Sequence, residues 1–298
     1  TMNAQKFRGT TVALVTPHLP GGEVDVETLK ALVDWHIEEG TDVILGTGTT
    51  GEASTLSTAE HKKVMEIIVE HCAGRRPVIC GTGSNSTREA IGLTEFAEKA
   101  GCDGVLSVGP YYNKPTQEGF YQHFSTIAST TSLPIILYNV PGRTGSNISA
   151  ETTLRLAKVD NIVGVKEASG NLSQIMEILR LRRDGFLVLS GDDAVALPLI
   201  AMGGDGVISV VANETPRLLH EMVLAAFEGD WETAREIHYR LLPLMEINFV
   251  ETNPIPAKTA LSMMGMIKEE FRLPMVRISD KNREKLRTVL VDLGLVSG

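Results

Sequence analysis

Lys166 lies within an apolar run, IVGVKEA at 162–168, where lysine is an uncommon choice. Read as a strand, the run places Ile162, Gly164, Lys166 and Ala168 on one face and Val163, Val165 and Glu167 on the other. If the first face points into a core, desolvation favours the neutral amine that Schiff-base chemistry requires. A lysine that snorkels from a strand end to water is the plain alternative, and the run alone leaves both open. The remaining lysines fall mostly in helices and loops, where solvated faces explain them. Tyr138 closes the preceding run, PIILYNV at 134–140, so adjacent strands would bring its phenol to the amine for proton transfer. A core tyrosine would have the same pattern. Arg143 in VPGRTG carries a planar guanidinium suited to a bidentate carboxylate contact, or is an ordinary surface arginine. Tyr111 and Tyr112 in PYYNKP cannot both face one way, so at least one should leave its own pocket.

A second candidate is GTGTTGE at 46–52, which reads G-x-G-x-x-G. A dinucleotide loop needs a helix opening at the last glycine and an acid ending the next strand. Here the helix is expected near Ser57, where Ser57 and Glu60 form an S-x-x-E capping box, and the next apolar run, PVICG, ends without an acid. The better reading is a strand-end loop in which Gly48 and Gly51 admit a small anion to backbone N–H groups while Thr49 and Thr50 supply hydroxyls. A carboxylate fits such a nest; a glycine-rich turn without chemistry is the alternative. There is no H-E-x-x-H, no Asp/His metal cluster and no G-x-S-x-G elbow, so metal hydrolysis and a serine triad are not expected.

The elements that must position these residues are regular. Apolar runs occur at 10–17, 43–46, 77–81, 104–110, 134–140, 162–168, 186–192 and 206–212, each followed by a longer stretch of helical character. Eight such units predict an α/β chain folded as a closed (β/α)8 TIM barrel, with a doubly wound sheet as the rival. The units end near residue 229, so residues 1–229 form the predicted barrel carrying the site. Residues 230–298 read as helix only, a C-terminal helical extension rather than a second folding unit.

The formal net charge of -9 argues against nucleic acid or an anionic membrane as the main partner. The three cysteines, Cys72, Cys80 and Cys102, lack metal-ligand spacing and read as reduced thiols of a cytoplasmic protein. The first residues, TMNAQKFRG, contain no apolar h-region, and Thr1 is expected to be an addition ahead of Met2. The longest stretch free of Asp, Glu, Lys and Arg, 119–142, is filled by Ser, Thr, His and Pro and is not expected to span a membrane.

Together GTTGE at 48–52, GTGSNST at 81–87, PYYNKP at 110–115, YNVPGRTG at 138–145, GVKEASGN at 164–171, SGDDA at 190–194, GVISV at 206–210 and NPIPAK at 253–258 resemble the dihydrodipicolinate synthase family over essentially the whole chain. This family of pyruvate-condensing lyases stands at the opening of lysine and diaminopimelate synthesis. The resemblance implies that Lys166 forms an imine with pyruvate, with no separate cofactor and no metal. Thr49, Tyr138 and Tyr112 would form a proton relay, Tyr112 reaching across a subunit interface. Thr50 would hold the pyruvate carboxylate, Arg143 the carboxylate of L-aspartate 4-semialdehyde, and Gly191 and Ile208 would line the pyruvate pocket through their backbone. A homotetramer built from tight dimers is implied, as is L-lysine as a candidate feedback inhibitor at Ala53, Ser54, His61, Asn85, Glu89 and Tyr111. Thr58 departs from feedback-sensitive members that carry a second histidine there. The rival enzymes are N-acetylneuraminate lyase and keto-deoxy-sugar acid aldolases, against which Arg143 and the Thr49–Thr50 pair stand. A catalytically silent sensor barrel is the rival of another class.

Overall fold

In the computed structural model, which describes residues 4–298, the apolar runs form parallel strands that close into a single barrel. Thr1 and Met2 lie outside the described residues. The strands are β1 Gly9–Ala13, β2 Val43–Gly46, β3 Val78–Gly81, β4 Gly104–Val108, β5 Ile135–Asn139, β6 Ile162–Glu167, β7 Leu187–Ser190 and β8 Gly206–Ser209. Each pairs with its sequence neighbours, and β1 closes the ring on β8 through Gly9 opposite Gly206. The helices are α1 Val26–Glu38, α2 Thr58–Cys72, α3 Thr87–Ala100, α4 Gln117–Ala128, α5 Pro141–Thr144, α6 Ala150–Leu156, α7 Leu172–Leu181, α8 Asp193–Ala201, α9 Pro216–Glu228, α10 Trp231–Ile247, α11 Ile255–Met263 and α12 Asp280–Asp292.

The strands read as unbroken apolar runs because both faces are covered. Leu45, Ile79, Leu106, Leu189 and Ile208 fill the barrel interior. Ile44, Val105, Leu137, Val188 and Val207 pack outward under the helices. The predicted capping box starts α2: Ser57 N–H donates to Glu60 Oε2 at 2.8 Å, and Glu60 N–H donates to Ser57 Oγ at 3.2 Å. The helix, capped by Ser57, therefore begins at Thr58, seven residues after Gly51, as the sequence implied and a dinucleotide loop forbids.

One strand departs from strict alternation. Between β5 and β6 the pairing steps from Ile135–Ile162 to Ile136–Gly164, leaving Val163 as an extra residue. Ile162 consequently packs outward and Val163 inward, opposite to the expectation from alternation. Past the bulge the expected phase is restored, since Val165 joins the outer layer while Ala168 packs against the inner cluster.

Beyond Gly229 the chain forms three helices, α10, α11 and α12, but residues 264–279 between the last two are irregular rather than helical, unlike the expectation of helix only. Helix α10 packs on α8 and α9, and α12 packs on α10 and α11. The connection from α10 to α11 returns over the carboxyl ends of the strands, where Phe249, Glu251, Thr252 and Asn253 line the central cavity. Among the described residues no helix is long and apolar enough to cross a membrane.

Candidate active site

Lys166 and Tyr138 are direct register partners on β6 and β5. Both are buried, and Lys166 Nζ sits 4.0 Å from the centroid of the Tyr138 ring. They face a cavity of about 700 Å³ at the carboxyl end of the barrel, shared with Thr49, Thr50, Arg143 and Gly191. Gly191 is a spatial necessity: a β-carbon there would lie 2.9 Å from Lys166 Cε and 2.8 Å from Ala168 Cβ. Lys166 makes no ion pair among the described residues, so no carboxylate competes for its nitrogen. On the opposite face of the same strand Glu167 is buried and anchored. Its carboxylate accepts from Ser169 N–H at 2.9 Å, Gln174 Nε2 at 3.0 Å and Asn139 Nδ2 at 3.1 Å. That network ties the ends of β5 and β6 together behind the reactive pair.

The loop after β2 is held from several sides. Thr47 donates to Gly81 O at 3.1 Å, and Thr16 donates to Gly51 O at 2.7 Å. Asn253 Nδ2 donates to Thr50 Oγ1 at 2.9 Å. With that lone pair occupied, the Thr50 hydroxyl proton is left to donate to an incoming anion. Arg143 Nη2 donates to Asn253 O at 3.3 Å, so one residue of the C-terminal segment touches both candidate carboxylate-binding side chains. Thr50 is buried and Thr49 exposed to the cavity.

A smaller cavity of about 400 Å³ adjoins the first and shares Thr49, Tyr138, Val140 and Arg143 with it. Ala53, Ser54, Thr58, His61, Glu89 and Tyr111 line its outer part. His61 donates through Nε2 to Gly81 O at 2.8 Å, and burial holds the ring below its ordinary pKa. The neutral ring therefore has Nδ1 as an acceptor. The Glu89 carboxylate accepts from the Ser84 hydroxyl.

Three predicted residues are placed apart from these cavities. Ile208 is buried in the barrel interior with its backbone paired to Thr11, and Val210, two residues on, lines the larger cavity instead. Asn85 is not a lining residue; its carbonyl accepts from Asn113 Nδ2 at 3.0 Å. Tyr112 lines neither cavity and is 89% exposed, with a left-handed φ of 70°. Lys258 corrects the reading of the remaining lysines as solvated. It is fully buried and donates to Glu52 Oε2 at 2.6 Å. Its surroundings in IPAKTALSM, with no other charge, were the available signal. Sequence reasoning also gave no role to Asn253, Met245 or Phe249, all of which line the larger cavity. The cysteines are free and buried, Cys102 Sγ lying 2.9 Å from Cys80 Sγ.

The sequence model of the dihydrodipicolinate synthetase family matches residues 6–293. This chain belongs to that family. It is 55% identical over 290 residues to the 4-hydroxy-tetrahydrodipicolinate synthase of Thermodesulfovibrio yellowstonii, covering 97% of this chain and 99% of the relative. The crystal structure of dihydrodipicolinate synthase from Aquifex aeolicus superposes with a TM-score of 0.96 at 50% identity, covering 98% of this chain and 100% of that one. The structure of the DHDPS of Cyanidioschyzon merolae with lysine bound gives a TM-score of 0.95 at 43% identity, over 98% and 99% of the two chains.

Proposed function

We propose that the 4-hydroxy-tetrahydrodipicolinate synthase activity of this family member runs through an imine on Lys166. The chain is a lyase that condenses pyruvate with L-aspartate 4-semialdehyde, and its pyruvate is bound covalently rather than through a separate cofactor. The observation that carries the assignment is the register pairing of Lys166 with Tyr138, which leaves the amine 4.0 Å from the phenol ring with no ion-pair partner among the described residues.

Lys166 attacks the ketone carbon, and the carbinolamine loses water to give an iminium. Tyr138 is the proton donor to the departing hydroxide. Loss of a methyl proton from the iminium leaves an enamine, whose carbon bonds to the semialdehyde carbonyl carbon. Tyr138 or Thr49 protonates the resulting alkoxide. The amine of the bound semialdehyde then displaces Lys166 as the ring closes, returning the free lysine. Thr50 and neighbouring backbone N–H groups hold the pyruvate carboxylate, in the manner of an anion nest. Arg143 holds the carboxylate of the semialdehyde. Gly191 keeps the floor of the pocket clear beside Lys166.

Tyr112, exposed and outside its own chain's cavities, is assigned to the relay of a neighbouring subunit, with a homotetramer of tight dimers as the assembly and the cytoplasm as its compartment. The smaller cavity is assigned to L-lysine as feedback inhibitor, Glu89 taking an ammonium and neutral His61 accepting at Nδ1. The lysine-bound relative supports that reading. Assaying semialdehyde condensation beside N-acetylneuraminate cleavage tests the function. Condensation with no cleavage is expected; the reverse pattern would assign the chain to the rival aldolases.

A further inference from the structure

Beneath the carboxylate loop lies a charged cluster that takes no part in the chemistry described above. Lys258, in the first half of α11, is fully buried with its Nζ 2.6 Å from Glu52 Oε2 and 3.2 Å from His18 Nδ1. His18 is also fully buried; burial first, and then the Lys258 charge, lower its pKa to about 3, so the neutral ring accepts from the ammonium. The Phe271 ring completes the enclosure, 5.2 Å from Nζ.

Glu52 directly follows Thr50 and Gly51 and adopts φ 55°, a left-handed conformation that side chains other than glycine seldom occupy. Two residues earlier, Thr50 accepts from Asn253, which lies in the turn that leads into α11. The segment leading into and opening α11 therefore grips the loop at Thr50 and again at Glu52, while Thr16 holds Gly51 O from the other side. A buried ion pair contributes little to stability compared with well-packed apolar side chains, but it is directional. The loop is bounded by two left-handed residues, Thr47 with φ 52° and Glu52 with φ 55°, and the placement of the ion pair at the second, where the nest ends, gives that direction a use.

We infer that the Lys258–Glu52 ion pair is a positioning device for the first substrate, fixing the Thr49–Thr50–Gly51 backbone so that hydroxyls and N–H groups converge on the pyruvate carboxylate. This rests on the assignment of that loop to pyruvate. Both residues act through Thr50 and touch no substrate.

The test is steady-state kinetics of the double variant Glu52→Gln/Lys258→Met, which removes both charges together, alongside Glu52→Gln alone. Pyruvate KM is expected to rise roughly tenfold in the double variant, below the ~100-fold loss that a 1 Å misplacement can cause. The single variant should show a smaller rise, and KM for the semialdehyde should stay within about twofold in both. Borohydride trapping at saturating pyruvate should still label Lys166 in each. An unchanged pyruvate KM in either variant that unfolds cooperatively, whatever its Tm, overturns the inference and leaves the pair a purely structural one. Failure of trapping in the unaltered protein would instead remove the imine assignment on which the inference rests.

Discussion

Two strand ends in this barrel carry tyrosines and treat them in opposite ways. At the end of β5, Tyr138 is buried beside Lys166, backed by the Glu167 network and walled by Gly191. At the end of β4, the chain turns outward through Tyr112 and Lys114, with positive φ values of 70° and 32°, leaving Tyr112 89% exposed. At the first end both side chains are buried by residues of their own chain. The second holds a large aromatic side chain in an uncommon backbone conformation with no intrachain burial to offset it. Tyr138 is thus held by packing within the chain, whereas Tyr112, which we propose for a neighbouring subunit's relay, gains no such burial from its own chain.

The strongest way to break that comparison is to remove the inner half. Lys166→Ala should lower turnover on the order of 10⁴-fold or more, with the fold retained, as measured by steady-state assay and thermal unfolding. Tyr138→Phe should lower kcat by about 100-fold while pyruvate still forms the imine at saturation. Gly191→Ala places a methyl 2.9 Å from Lys166 Cε, and pyruvate KM should rise by roughly tenfold with no change in subunit association. Tyr112→Phe should slow turnover by about tenfold and leave the sedimentation profile unchanged. Wild-type turnover in that variant would contradict the assignment of Tyr112 to a neighbour's relay.

A further effect concerns stability rather than turnover. His36 and His18 are buried with pKa values lowered to about 3, chiefly by desolvation. Unfolding releases rings that bind protons near their ordinary value, so the unfolded state binds more protons between those limits. Their contribution is complete above pH 6.5 and is lost as pH falls towards 3. By pH 5 each should have removed about 2 kcal/mol from the unfolding free energy. Buried Asp193, its pKa raised to about 6, and Glu214, also raised by burial, act in the opposite sense over the same window. The check is therefore the difference in pH dependence between denaturant titrations of the protein and of its His36→Phe variant across pH 5–7; no difference would contradict it.

The barrel was legible because buried parallel strands leave short apolar runs at regular intervals, and Lys166 stood out because it interrupts one of them. The phase of Ile162 and Val163 was not legible, since the bulge arises from pairing between two strands rather than within either. Thr50 could be found locally, but its partner Asn253 is 203 residues away, and Lys258 is 206 residues from Glu52. Nothing in periodicity links such positions. The exposure of one tyrosine in PYYNKP followed from simple geometry, whereas the one that turns outward depends on the loop conformation at Tyr112.

Borohydride reduction in the presence of pyruvate, followed by peptide mapping, tests the imine on Lys166 most directly. One reduced pyruvate adduct per chain is expected, confined to Lys166 and absent from Lys166→Ala. Folded protein that stays unmodified at Lys166 in excess pyruvate, or carries its adduct on another lysine, would contradict the imine mechanism.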